Sequence, residues 1–77
     1  MSLGQALKEL RSHRGFTLAQ LAQKSGSYVG NLSRIERDVS VPSLDLLYRI
    51  SSALGCSLAE VFSISDPANK AHDPNQV

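Results

Sequence analysis

The sequence predicts an all-α protein, a compact set of five short helices in one domain, and three observations carry that reading. Apolar residues recur at helical spacing in every segment up to Phe62. Hydroxyl residues suited to N-capping alternate with glycines suited to stopping a helix. The chain has no Trp, two Phe and two Tyr, so a core must rest on Leu, Ile, Val and Ala, and the β-branched and aromatic runs that favour strands are scarce.

The first helix is expected from Leu3, Leu7 and Leu10, which share one face, with Ser2 as cap and Gly15 as stop. The second opens at Thr17, three residues before Gln20, in the pattern of a capping box; Phe16 and Leu21 stand at the positions of a hydrophobic staple. It runs to about Lys24, because Ser25-Gly26-Ser27 reads as a turn. Ser27 then caps a third helix with Leu32 and Ile35 as its apolar stripe and Tyr28 at the edge, fading near Arg37; Asp38 to Pro42 form a loop. Ser43 caps the fourth, with Asp45 in the first turn where the helix dipole favours a negative charge. Its inner face is Leu44, Leu47, Ile50, Ser51 and Leu54, and Gly55 stops it. The fifth starts at Ser57, paired with Glu60 as a capping box and with Cys56 and Val61 as a staple. The organisation is therefore a helical domain over 1–64 and a polar tail over 65–77, rich in Asp, Asn and Pro, with little packing of its own.

Seventy-seven residues bury only about 60% of their unfolded surface, enough for one small core and too little for a separate catalytic or sensor domain. No glycine-rich phosphate loop, no nucleophile paired with a base and no carboxylate pair is present, which argues against an enzyme. Cys56 stands alone, so neither a disulfide nor a cysteine metal site is expected. His13 and His72 lack partners at ligand spacing, and no metal or other cofactor is expected. Without a signal run or an apolar stretch of about 20 residues, a soluble cytoplasmic protein with no membrane partner is expected. The net charge of +1 is unevenly spread. Residues 1–37 carry six basic and two acidic side chains, and residues 38–77 carry two and five. A +4 half followed by a −3 half suggests one face for an anion and another for something else.

The informative stretch is Thr17 to Arg37, two helices joined by a three-residue turn containing Gly26. So short a joint makes the helices cross steeply and leaves one face of the second free. Small Ala22 permits their close approach. The pattern T-x-x-x-L-A-x-x-x-G, then L-S-x-I-E-R, then P-S-L-x-x-L and A-L-G-x-S-L-x-x-V-F resembles the lambda-repressor/Cro-like helix-turn-helix regulators from about Leu3 to Phe62. The resemblance implies a five-helix, lambda-repressor-like domain whose helices 2 and 3 form the motif, with the third lying in the major groove of double-stranded DNA. It further implies a sequence-specific transcriptional regulator, expected to be a repressor acting as a homodimer. A protein-binding module such as an antitoxin, using the tail to hold a partner, is the alternative.

On that reading Arg34 projects opposite Leu32 and Ile35 and can donate two hydrogen bonds to guanine. Val29 meets a thymine methyl or packs at the edge. Gly30 either lets the backbone approach the bases or is simply tolerated. Asn31, Ser33 and Arg37 flank Arg34 within reach of phosphates. Tyr28 leans toward the core, its hydroxyl near a phosphate. Thr17, Leu18 and Ser43 stand at helix starts, where backbone N–H groups attract phosphate; Leu18 replaces a Gln that the family often carries there. Arg11 and Glu36 match a pair that the family often places between helices 1 and 3, and a partly buried salt bridge is expected. Leu58, Val61, Phe62 and Ile64, in the acidic half, are the expected dimer interface.

Overall fold

Four of the five described helices begin at a residue whose side chain accepts one of the first backbone N–H groups. The structure, a computed structural model, describes residues 1–65 and comprises α1 (Leu3–His13), α2 (Leu18–Ser25), α3 (Val29–Glu36), α4 (Leu44–Leu54) and α5 (Leu58–Ser65). The expected tail, with the partner role assigned to it and with His72, lies outside the described residues apart from Ser65, which closes α5 one residue beyond the anticipated boundary. Reciprocal capping boxes open α1 (Ser2 with Gln5) and α2 (Thr17 with Gln20). At α5 Ser57 N–H donates to Glu60 Oε1 at 2.9 Å and Glu60 N–H to Ser57 Oγ at 3.1 Å. Ser43 Oγ accepts from Leu46 N–H.

The start of α3 departs from expectation. Its cap residue is Tyr28, whose side chain makes no capping bond. The Ser27 hydroxyl accepts instead from Asn31 Nδ2 at 3.1 Å, so Ser27 braces the turn from one residue further out. Gly26, at φ +73°, takes the left-handed conformation that lets the chain reverse between α2 and α3.

Leu7, Leu21, Leu32, Ile35, Ile50, Leu54 and Val61 are fully buried and form one core, with Leu3, Leu10, Phe16, Leu18 and Leu58 packed against it. α1 packs on α5 and α3, α2 on α4 and α3, and α4 on α5. In α4 the inner face begins at Leu46 rather than Leu44, which is 68% exposed. Leu44 lies two positions from Leu46, about 200° round the helix, so the two cannot share a face.

Two long-range contacts fasten α1 to α3 and to the residues just after it. Arg11 Nε and Nη2 donate to the two carboxylate oxygens of Glu36 at 2.7 and 3.0 Å, and Arg11 Nη1 to Phe16 O at 2.8 Å. The pair is largely buried, as expected between these helices. The hydrogen bond to Glu36 pushes the Arg11 pKa up, against an opposing desolvation. Beyond α3, Asp38 adopts φ +62°. Its carboxylate accepts from Ser2 Oγ at 2.6 Å and Gly4 N–H at 3.0 Å, serving as a second N-terminal anchor for α1.

Candidate nucleic-acid interface

α3 is eight residues long, about 12 Å at 1.5 Å per residue. Leu32 and Ile35 bury one side of it. The opposite side exposes Val29, Gly30, Arg34 and Arg37, preceded by Tyr28, with Asn31 and Ser33 half-buried at its margins. Tyr28 is 79% exposed; the expected lean toward the core does not occur, because as cap residue it sits in extended geometry outside the helix. Its ring therefore joins the free face.

The polar groups on this surface are not equally available. Arg37 Nε donates to Ser33 O at 3.3 Å, folding that side chain along its own helix. The Asn31 amide nitrogen is engaged with Ser27. Thr17 N–H donates to Gln20 Oε1 at 2.8 Å while Thr17 Oγ1 accepts from Gln20 N–H, so its backbone N–H is already satisfied, contrary to the expectation that it faces phosphate. The N–H groups of Leu18 and Ala19, in the first turn, have no intrahelical partner. The Leu18 side chain is half-buried against the core. Ser43 is exposed at the start of α4.

A residue not anticipated from sequence fixes the motif. Arg49 of α4 donates from Nη1 to Ser25 O at 2.8 Å and Gly26 O at 3.3 Å, and from Nε to Asp45 Oδ2 at 3.2 Å. It holds the last carbonyls of α2, and hence the turn that aims α3. The i,i+4 spacing to Asp45 was visible in the sequence; the turn, more than twenty residues away, was not. Asp38 and Gly4 were missed for the same reason.

On the far side of the domain, Phe62 and Ile64 are 47% and 38% exposed. Leu58 is half-buried and, with Tyr48 and Cys56, lines an open cleft of about 470 Å³ between α4 and α5. Val61 is a correction. Its side chain is completely buried inside the protomer, so it belongs to the monomer core and not to an outward surface. Burial pushes the Cys56 thiol pKa up, Glu60 adds to the shift and Arg14 opposes it. Among the described residues no cluster of His, Cys, Asp or Glu could hold a metal ion, and no helix is long and apolar enough to cross a membrane.

A helix-turn-helix family model, HTH_3, matches residues 7–61. The chain belongs to the lambda-repressor/Cro-like helix-turn-helix family. Members of this family are DNA-binding transcriptional regulators and not enzymes. The immunity repressor protein of Bacillus phage phi105 is 38% identical over 61 residues, covering 79% of this chain and 42% of that protein. The chain spans only about half the length of such relatives. Among solved structures, the clp gene regulator ClgR from Corynebacterium glutamicum superposes with a TM-score of 0.81 at 38% identity, covering 86% of each chain. The biofilm master regulator SinR in complex with DNA superposes with a TM-score of 0.74 at 34% identity, covering 78% of this chain and 97% of that one. The five-helix architecture is thus that of the family's regulators.

Proposed function

We propose that this protein binds double-stranded DNA sequence-specifically as a homodimer, each α3 entering the major groove, and represses transcription by occupying its operator. The observation that carries the reading is the free face of α3: Tyr28, Val29, Gly30, Arg34 and Arg37 are exposed on a helix fixed from behind by Leu32, Ile35 and the Arg49-held turn. Arg34 is the base reader, by two donated bonds to guanine. Tyr28, Ser33, Arg37, Ser43 and the first-turn N–H groups at Leu18 contact phosphate or sugar and set the register. SinR, a relative, is known in a complex with DNA, and another is named a repressor. The protein works where its DNA is, in the cytoplasm.

A dimer follows from size. One helix of eight residues covers a few base pairs, and a single module's interface of about 600–1,000 Å² falls short of that of most specific complexes. Phe62 and Ile64, exposed on the two flanks of buried Val61 near the end of α5, with half-buried Leu58 beside them, are the apolar residues offered to a symmetry mate. α5 packs on α1 and α4, leaving α3 free for DNA. The two α3 helices then lie about 34 Å apart, one turn of DNA.

Selection of bound sequences from random DNA tests the reading and should return a two-fold site with half-sites about one helical turn apart. Sedimentation should show a dimer that Ile64→Asp converts to a monomer without unfolding it. An asymmetric site bound by one copy, with monomeric wild-type protein, would overturn the dimer; recovery of no preferred sequence would overturn specific DNA binding.

A further inference from the structure

Gly30 occupies the second position of α3, and the fold gives no reason for a glycine there. Its φ is not positive. A Cβ built on it meets no packed backbone: the neighbour within 4 Å is Arg34 Nη1, at 3.9 Å. Gly4 is the contrasting case, where the same test places a Cβ at 2.3 Å from Ile35 O. Glycine is also a poor helix former, so in α3 it weakens the very element that the rest of the domain holds in place. Nothing in the folded chain calls for a bare backbone at position 30.

Arg34 lies four residues on, directly beneath Gly30 on the exposed face. Helical side chains lean toward the N-terminus of their helix, and the 3.9 Å separation shows that the guanidinium does so, reaching back to the space a side chain at 30 would occupy. Arg34 has no carboxylate partner among the described residues, so its planar fork of donors is free.

We propose that Gly30 and Arg34 form one reading unit, in which the missing side chain at 30 lets the Arg34 guanidinium lie low across the front of α3 and present its donors edge-on to a guanine. Gly30 is then a specificity-determining position that acts through Arg34. This inference rests on the reading that α3 enters the major groove. A methyl group at 30 meets the guanidinium at ordinary contact distance and leaves its path open. A longer side chain takes the guanidinium's place and lifts Arg34 off the base.

The test is a specificity cycle at one base pair. Wild type, Gly30→Ala, Gly30→Leu, Arg34→Ala and the Gly30→Leu/Arg34→Ala double variant are titrated against the selected site and its three substitutions at each position, with melting curves to verify folding. Gly30→Gln serves as a second, polar variant. Wild type should prefer one guanine by about 5- to 150-fold, the range of a bidentate arginine contact. Arg34→Ala should erase that preference, Gly30→Leu and Gly30→Gln should erase it at the same base pair, and the double variant should lose nothing further there. Gly30→Ala should retain the preference. The proposal is overturned if Gly30→Leu and Gly30→Gln keep the preference, if they alter a different base pair from Arg34→Ala, if their losses add to that of Arg34→Ala, or if Gly30→Ala loses the preference. A wild-type protein that selects no sequence overturns the groove reading itself, and is distinct from all of these.

Discussion

Replacing Gly4 by Ala puts the close approach of α1 to the end of α3 to the test. α1 crosses the end of α3 at Gly4, where an added Cβ would lie 2.3 Å from Ile35 O, 2.6 Å from Glu36 O and 2.7 Å from Asp38 Oδ1. Two of these atoms are backbone carbonyls, so no side-chain rotation relieves the clash. Bringing the shortest contact from 2.3 Å out to the 3.4 Å of ordinary packing requires the helices to part by about 1.1 Å. Parting them stretches the Gly4 N–H and Ser2 Oγ bonds to Asp38 and the Arg11–Glu36 pair. Overpacking costs about 1–3 kcal/mol, and a weakened bond to a charged group adds about 1.5–3 kcal/mol at most. Ala recovers up to about 1 kcal/mol of helix propensity. The balance is a loss of about 2–4 kcal/mol, a large part of the total stability of a domain this small, and a fall in Tm of roughly 10–30 °C. Thermal and urea denaturation followed by circular dichroism measure it. A Gly4→Ala protein that melts at or above wild type would refute the reasoning, since propensity alone predicts that sign.

Three further outcomes follow from buried and half-buried groups. Arg11→Met strands the Glu36 carboxylate, whose side chain is 7% exposed, and should cost about 3 kcal/mol; Glu36→Leu in the same chain should restore part of it, and a double-mutant cycle with zero coupling would sink the pairing. The Cys56 thiol, its pKa raised by burial, should react with iodoacetamide at pH 8 more slowly in the native protein than in urea, because the thiolate is the nucleophile. A raised thiol pKa stabilises the fold below the unfolded value of about 8.5, and that contribution fades as pH rises through the folded value. Wild type should therefore lose stability above about pH 8.5 more steeply than Cys56→Ala, and equal slopes or equal labelling rates would contradict the burial.

What the sequence determined by itself is local. A capping box spans four residues, so the starts of α1, α2 and α5 could be placed from Ser2, Thr17 with Gln20, and Ser57 with Glu60. A left-handed stop needs one glycine, so Gly26 and Gly55 marked their helix ends. The helical period put Leu32 and Ile35 inside and Arg34 outside, which located the candidate reading face. Where apolar residues crowd together the pattern misled: Leu44 read as inner because it stands beside equally apolar Leu46 and Leu47, and Val61 read as outward because it stands among apolar Leu58, Phe62 and Ile64. Only the tertiary structure decided how the face is held and aimed. The Asp38 anchor reaches back 34 residues to Gly4, and Arg49 reaches 24 residues back to Ser25. The closeness of α1 and α3 at Gly4 is a distance between two backbones. Such contacts depend on the angle and separation at which packed helices cross, set by the whole core at once, and no periodicity within one segment encodes them.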